Sequence, residues 1–518
     1  MDETPTDVRD PSSDASRGAV VGLLCAGVAI GTAELVAAVV GRAASPIVAV
    51  GGSAVDLSPE WLKRFAIRAF GEADKTVLLI GIAAVLVGIA VGVGIASRRR
   101  PRFATGGLLV LGAIGVAAAL SRPDAGAAAA IPSLVGTAAG LVAFVRLRDA
   151  SAGGPPDASP TIPGYDRRRF LRTGMAAAGV AVAAGGVGRL LASRAGAADS
   201  RAATRLPEPA DPTPAPPADP AIEVPDLSPY RTPNDTFYRV DTALFVPAVD
   251  ATDWSLRVHG MVDRELTLDY GDLLERPMIE RDITLACVSN EVGGSYVGNA
   301  TWLGTRLADL LAEAGPHPDA TQLVSRSVDG FTIGTPTAVV ADGRDALLAV
   351  GMNGQPLPLE HGFPVRIVVP GLYGYVSAMK WLVDLELTTM EAYDAYWITR
   401  GWSKEAPVKT QSRIDTPRPG ARVESGSVPV AGVAWAQHRG IERVEVRVDD
   451  GPWREASLGD PGTVDTWRQW VFAWSATSGR HTLAVRATDG EGEVQTADRA
   501  APFPDGATGY HAIAIEVT

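Results

Sequence analysis

Four apolar runs in the first third of the chain, residues 18–40, 76–96, 103–121 and 126–145, limit its fold more than any other feature. Each is close to the ~20 consecutive apolar residues that cross a bilayer as a helix, and none carries more than one charge. Mean hydropathy is positive although 20% of the 518 residues are charged, so the two classes have to be segregated along the chain. We expect a helical transmembrane region over 18–146 behind a cytoplasmic tail, 1–17, in the cell membrane.

Orientation follows from the basic residues. The loop Ser97-Arg98-Arg99-Arg100-Pro101-Arg102 joins the second and third runs, and Arg146, Arg148 and Arg167 to Arg169 follow the fourth. By the positive-inside rule both lie in the cytoplasm, as does the N-terminus. A fifth run, Met175 to Leu191, is rich in Ala, Gly and Val and weaker than an ordinary span; Arg168-Arg169-Phe170-Leu171-Arg172 precedes it. Region 165–195 resembles a twin-arginine export signal in an internal position, with an ordinary positive-inside flank as the alternative. Five spans put everything after residue 195 on the extracytoplasmic side.

All six histidines lie after residue 195, so the bundle cannot hold a bis-histidine haem. Gly88 and Gly92 have the spacing of close helix approach. Glu34, the acid inside the first run, is either functional or a carboxylate reaching the interface. Trp61, Leu62, Phe65, Ile67 and Phe70, among Lys63, Arg64 and Arg68, predict an amphipathic helix lying on the membrane surface.

Residues 199–225 are proline-rich without apolar periodicity and read as an extended linker. From 226 to 412, short β-rich runs such as Ile283–Val288 and Val365–Val369 mix with helical stretches such as Leu303–Ala314, predicting an α+β domain. From 413 to 518, apolar runs at regular spacing, with Asp449-Asp450-Gly451-Pro452 and Ser478-Gly479 as turns, predict an all-β immunoglobulin-like sandwich.

The chain has two cysteines. Cys25 is inside the first apolar run, and Cys287 ends the strand-like segment Ile283-Thr-Leu-Ala-Cys-Val-Ser-Asn290 ahead of Glu291-Val292-Gly293-Gly294. A thiolate at a strand end beside a glycine-rich turn suits a soft metal. No CxxC or HxxxH pattern points to zinc.

The runs Arg281-Asp-Ile-Thr-Leu-Ala-Cys287-Val-Ser-Asn290, Gly298-Asn299-Ala-Thr-Trp302-Leu-Gly304, Met352-Asn-Gly-Gln-Pro-Leu-Pro-Leu-Glu-His361-Gly-Phe-Pro-Val-Arg366 and Lys380-Trp381 resemble, in order and over about 230–400, the sulfite oxidase family of molybdopterin enzymes. The resemblance implies an oxidoreductase in which Cys287 ligates the molybdenum of a molybdenum–molybdopterin cofactor. It implies cofactor contacts from Phe237, Tyr238, Arg239, Asp329, His361, Arg366, Ser377, Met379 and Lys380, and a C-terminal domain of the dimerising type. An anionic phosphate held in protein requires a fixed cation such as Arg366, and a pterin ring requires directed donors and acceptors, for which Asn290, Asn299 and His361 are candidates. Asn290 and Asn299 also read as turn residues, His361 as a turn cap, and Trp302 and Trp402 either as lining a substrate pocket or as core.

Where sulfite-oxidising members follow the cysteine with Ala-Gly-Asn-Arg-Arg, this chain has Val288-Ser289-Asn290-Glu291-Val292, exchanging two arginines for an acid and an apolar residue. A desolvated Glu291 would disfavour a dianion by several kcal/mol. Trp402 stands where a catalytic tyrosine is expected. The expectation is therefore oxygen-atom transfer on a substrate other than sulfite, with Arg239 orienting substrate and Glu291 handling protons. Sulfite oxidation, a sulfoxide-type reductase and a catalytically silent membrane adaptor are the alternatives. With no CxxCH motif, the expected partners are a separate electron carrier (a cytochrome or quinone-linked protein), membrane lipid and a second copy of the chain, with no nucleic acid.

Overall fold

The computed structural model describes residues 11–518 apart from 42–43, 60–61, 63–64, 66–68, 71–73, 123–125, 152–166, 192–194, 214–221 and 461. The chain divides into two compact units, with the boundary between Arg194 and Ala195.

In the first unit, helical stretches Ala15–Val40, Lys75–Arg98, Arg102–Leu120 and Ala127–Asp149 are long and apolar enough to cross a membrane. They coincide with the four apolar runs of the sequence to within a few residues. The helix Arg167–Leu191 follows them, and its strongly apolar part, Leu171–Ala183, is shorter than a span. The side chains of Arg167 to Phe170 lie outside the described residues, as do Trp61, Lys63, Arg64, Ile67 and Arg68 of the expected surface helix.

Close helix approach is real but uses other glycines than Gly88 and Gly92, around which a Cβ would meet nothing. At Gly22 a Cβ would come within 2.0 Å of the Ala90 carbonyl oxygen, at Gly94 within 2.2 Å of the Gly18 oxygen, and at Gly31 within 2.6 Å of the Ala181 oxygen. Spacing alone marks which glycines share a face, and packing decides which face meets a neighbour. Glu34 also has a local role. Its carboxylate accepts a 2.6 Å hydrogen bond from Ser45, whose hydroxyl oxygen in turn accepts from Val48 N at the start of the helix Pro46–Leu57. That helix was not legible in the sequence; its Ser45 cap and Pro46 start are its signals.

The second unit starts earlier than its linker composition predicts. Ala195–Ala203 is helical, and the following residues lie against the domain. Arg201 donates to the Pro356 and Leu357 carbonyls at 2.8 Å, Ala210 N to Met278 O at 2.8 Å, and Asp211 pairs with Arg281 and Arg306. Proline content favours extended backbone without deciding whether its polar groups find partners on a neighbouring surface.

Two sheets build the α+β part. One has the order β2 (Leu266–Asp269), β1 (Ser255–Gly260), β10 (Leu382–Thr388), β5 (Gln322–Ser327), β6 (Thr332–Pro336). The other runs β3 (Ile279–Ala286), β4 (Val297–Arg306), β7 (Leu347–Met352), β8 (Gln355–Pro356), with β9 (Arg366–Val368) also on β7. The C-terminal part stacks β11 (Gln411–Thr416), β13 (Gly426–Trp435), β17 (Arg468–Ala476) and β16 (Ser457–Leu458) on a second sheet. That sheet runs β12 (Arg422–Val423), β19 (His511–Val517), β18 (Gly479–Asp489), β14 (Ile441–Val448), β15 (Arg454–Glu455). Val430, Trp470, Val446, Val485 and Ile515 fill the sandwich core, as expected where two inner faces interdigitate.

The two parts of this unit share one apolar core. Val433, Trp435 and Trp467 of the sandwich pack in the same cluster as Leu285, Trp302 and Val368. This explains why the last five residues of β3 are all buried: one face meets the oxidoreductase core and the other the sandwich.

Candidate functional site

The β3–β4 hairpin sets Cys287. Cys287 N donates to the Tyr296 carbonyl at 2.9 Å, Asn290 N to the Cys287 carbonyl at 3.0 Å, and Tyr296 N to the Asn290 side-chain oxygen at 2.8 Å. Asn290 thus closes the turn. The buried Cys287 thiol is pushed up by desolvation and drawn back by hydrogen bonds from Ser289 and by the Lys380 charge. Glu291, one residue past Asn290, is exposed to solvent. Its effect on an anion is therefore screened to about 1 kcal/mol, against the several expected of a desolvated carboxylate.

A cation cluster forms the rest of the site. Gly362 has φ +110°, and a Cβ there would meet Lys380 Cα and Cβ at 3.1 and 3.0 Å and Arg366 Cβ at 3.2 Å. Only glycine permits both that backbone conformation and that approach, so Gly362 is what sets Arg366 and Lys380 side by side. Lys380 Nζ donates to Asp241 Oδ2 at 2.8 Å, and Arg239 Nε donates to the same oxygen at 2.8 Å. Burial brings Lys380 down to about 8 against the opposing pull of Asp241.

Arg366 is only 5% exposed and lies 4.8 Å from the centre of the Trp302 ring. One guanidinium nitrogen donates to the His361 carbonyl at 3.1 Å, while the buried Nε has no partner. Desolvation lowers its pKa to about 10. A buried cation without a counter-anion is expensive, and this one has room in its chemistry for an anionic ligand.

His361 Nε2 is 2.9 Å from the Asn234 carbonyl, so it carries the proton and leaves Nδ1 as an acceptor. Burial, then the charges of Arg366, Lys380 and Arg239, bring its pKa down to about 4. Phe237 packs edge-on to His361 and Trp302 and stacks on Tyr238 at 5.1 Å. Tyr238 is raised by desolvation and lies within electrostatic reach of both Cys287 and Arg366, which ties the thiol and the cations into one site.

The remaining predicted residues serve this site through the backbone or stand beside it. Ser377 spends its hydroxyl on the Leu372 and Tyr373 carbonyls, and Met379 is in the core; their own carbonyls accept from Val369 and Ile367, which lines the segment leading to Lys380 against β9. Asp329 accepts from Phe331 N in the β5–β6 turn, next to Val328, whose N–H donates to Trp381 O. Asn299 is fully buried, and its side chain is bonded to Tyr230 O and Thr284. Trp302 is core, with its indole N–H on Ile283 O, and serves the site as the floor under Arg366. Trp402 packs against Tyr375, Trp397 and Phe503. Asp241 and Gly362 were not singled out from sequence; the signals were an acid two residues from Arg239 and a glycine directly after His361.

Among the described residues, no group of three or more His, Cys, Asp or Glu converges as a metal site. A metal on Cys287 would draw other ligands from a non-protein group. A soft sulfur ligand near three cations, of which Lys380 and Arg239 share the Asp241 carboxylate, fits a ligand carrying a soft metal and an anionic tail.

Residues 243–397 match the oxidoreductase molybdopterin binding domain, and residues 411–485 the bacterial Ig domain. Over 323 residues the chain is 33% identical to human mitochondrial sulfite oxidase, covering 53% of this chain and 58% of that protein. Over 327 residues it is 32% identical to chicken sulfite oxidase, covering 53% and 70%. The chain thus spans about 58% of the length of the human relative. Among solved structures, it is similar to the sulfane dehydrogenase SoxCD of Paracoccus pantotrophus, at 22% identity and TM-score 0.49 over 60% of this chain and 93% of that one.

Proposed function

The chain belongs to the sulfite oxidase family of molybdopterin-dependent oxidoreductases, and from that premise we propose that it is a membrane-anchored oxidoreductase with its catalytic unit on the extracytoplasmic side. The observation that carries the reading is the buried, half-satisfied Arg366 beside Lys380 and Arg239, within electrostatic reach of the Cys287 site. In this reading Cys287 ligates molybdenum, Arg366, Lys380 and Arg239 hold the anionic end of the cofactor, and His361 Nδ1 accepts from its ring. The cofactor supplies two-electron oxygen-atom chemistry when bound. The protein contributes position, charge and a dry floor, Trp302.

The proposed substrate is one other than sulfite, because Glu291 and Val292 stand where sulfite-oxidising relatives carry arginines, and Trp402 where they carry a tyrosine. Sulfite oxidation is the second reading, supported by the solvent exposure of Glu291 and by the relatives' activity. Arg239 would orient substrate, Glu291 would exchange protons with solvent, and electrons would pass to a separate redox protein. The side of the membrane rests on the basic loops, and a homodimer through the sandwich on the relatives' domain type. Steady-state assay of the purified chain with sulfite and an artificial acceptor separates the readings: kcat of order 1–1000 s⁻¹ establishes sulfite oxidation, and turnover below about 0.01 s⁻¹ supports another substrate. Absence of both molybdenum and pterin from the purified protein would overturn the oxidoreductase reading.

A further inference from the structure

The sandwich does more than extend the catalytic domain. On the upstream side of Cys287, Thr284 N donates to the Asp465 carbonyl at 2.9 Å, the Thr284 carbonyl accepts from Gln437 Nε2 at 2.9 Å, and the Thr284 hydroxyl accepts from Trp467 N at 2.7 Å. All three partners belong to the sandwich. The hydroxyl also donates to Asn299 Oδ1 at 3.0 Å, and Asn299 Nδ2 and Trp467 Nε1 converge on the Tyr230 carbonyl.

On the downstream side the turn Glu291–Gly294 is held by the same domain. Arg413 donates to the Gly294 carbonyl at 2.8 Å, and its Nε is fixed on Asp415 at 2.6 Å. Gly293, at φ +79°, lies against His511; a Cβ there would fall 2.3 Å from the imidazole ring. His511 is itself oriented by Ile414 N, which donates to Nδ1 at 3.0 Å. Cys287 therefore sits between two points, three residues before and six to seven after, at which its strand and its turn are fixed by residues 413–518.

We infer that the immunoglobulin-like sandwich is a positioning clamp for the Cys287 thiol, with Gln437, Asp465 and Trp467 gripping Thr284 upstream and Arg413 and His511 gripping the turn downstream. The inference concerns the place of the thiol and rests on the proposed function only for what that thiol ligates. A clamp of this kind keeps the thiol facing the cation cluster and limits opening of the β3–β4 turn.

The test uses the full chain in detergent, produced without cofactor, and follows alkylation of Cys287 by N-ethylmaleimide through the mass of its peptide. Thr284→Val, Gln437→Leu and Gly293→Ala are each expected to speed alkylation about tenfold by making local opening easier. Thr284→Ser, which keeps the hydroxyl, is expected to stay within about twofold of the unaltered chain. Val446→Ala, in the sandwich core away from the interface, should lower the unfolding temperature yet leave the Cys287 rate unchanged below it. Unchanged rates in Thr284→Val and Gln437→Leu, or equal acceleration by Val446→Ala, would overturn the clamp. Because the measurement is made without cofactor, its failure leaves the molybdopterin reading standing, and loss of that reading leaves the clamp standing.

Discussion

At Thr284 and Asn299 every hydrogen-bonding group meets a partner within the protein, whereas at Arg366, also buried, Nε meets none. These regions lie in one unit and draw on the same apolar core, yet their polar groups follow different rules. Paired polar groups on Thr284 and Asn299 fix a strand, whereas the unpaired Nε of the buried Arg366 leaves a donor that an anionic ligand can complete.

The comparison breaks most visibly at Arg366. Arg366→Met should weaken cofactor retention by about 2–5 kcal/mol, since a desolvated charge pair loses one partner. In the cofactor-free chain the same change should raise the unfolding temperature, because an uncompensated buried charge is removed. Pterin content and thermal unfolding of the two forms measure the opposite signs; destabilisation of both would make Arg366 a frame residue. Asn299→Leu should behave the other way, costing about 2–4 kcal/mol with or without cofactor, as the Tyr230 carbonyl and Thr284 hydroxyl lose a buried partner.

Two histidines sharpen the contrast through pH. His361 and His511 both have folded pKa values near 4, lowered first by burial and next by neighbouring arginines. Each is neutral in the fold, while the unfolded chain takes up a proton below about 6.5. Stability is therefore intact above that pH and falls as the pH drops from about 6.5 to 4, by at most on the order of 3 kcal/mol per histidine. An anionic ligand on Arg366 and Lys380 offsets the charges that depress His361, so cofactor should flatten its share and leave that of His511. Unfolding titrations of the loaded and cofactor-free chain, with His511→Gln to isolate His361, check this. The smallest effect belongs to the surface: Arg257→Ala, which removes a pair with Glu265 exposed on both sides, should shift stability by less than about 0.5 kcal/mol in either form.

The sequence made some of this contrast legible and hid the rest for identifiable reasons. The four long apolar helices showed because a bilayer-length run of apolar residues is a local signal, and Cys287, His361, Arg366 and Lys380 stood out through contiguous motifs. Gly88 and Gly92 misled because helical spacing does not say which face meets a neighbour. The start of the expected linker 199–225 docks on the domain instead, because Arg201 and Asp211 find partners far along the chain. Thr284, Gln437 and Arg413 gave no local signal at all, since their roles come from strands more than a hundred residues apart meeting at one interface. The several kcal/mol expected of Glu291 hold only for a desolvated acid, and burial is a property that a motif does not carry.

In the proposed function Cys287 is the protein's ligand to a molybdenum held by a pterin cofactor in the cation cluster. X-ray absorption at the molybdenum edge on the purified full chain, compared with Cys287→Ser, tests it most directly. The expected result is molybdenum in the unaltered protein and the loss of one sulfur from the metal's first coordination sphere in the variant; an unchanged sulfur count in Cys287→Ser would rule out Cys287 as the ligand.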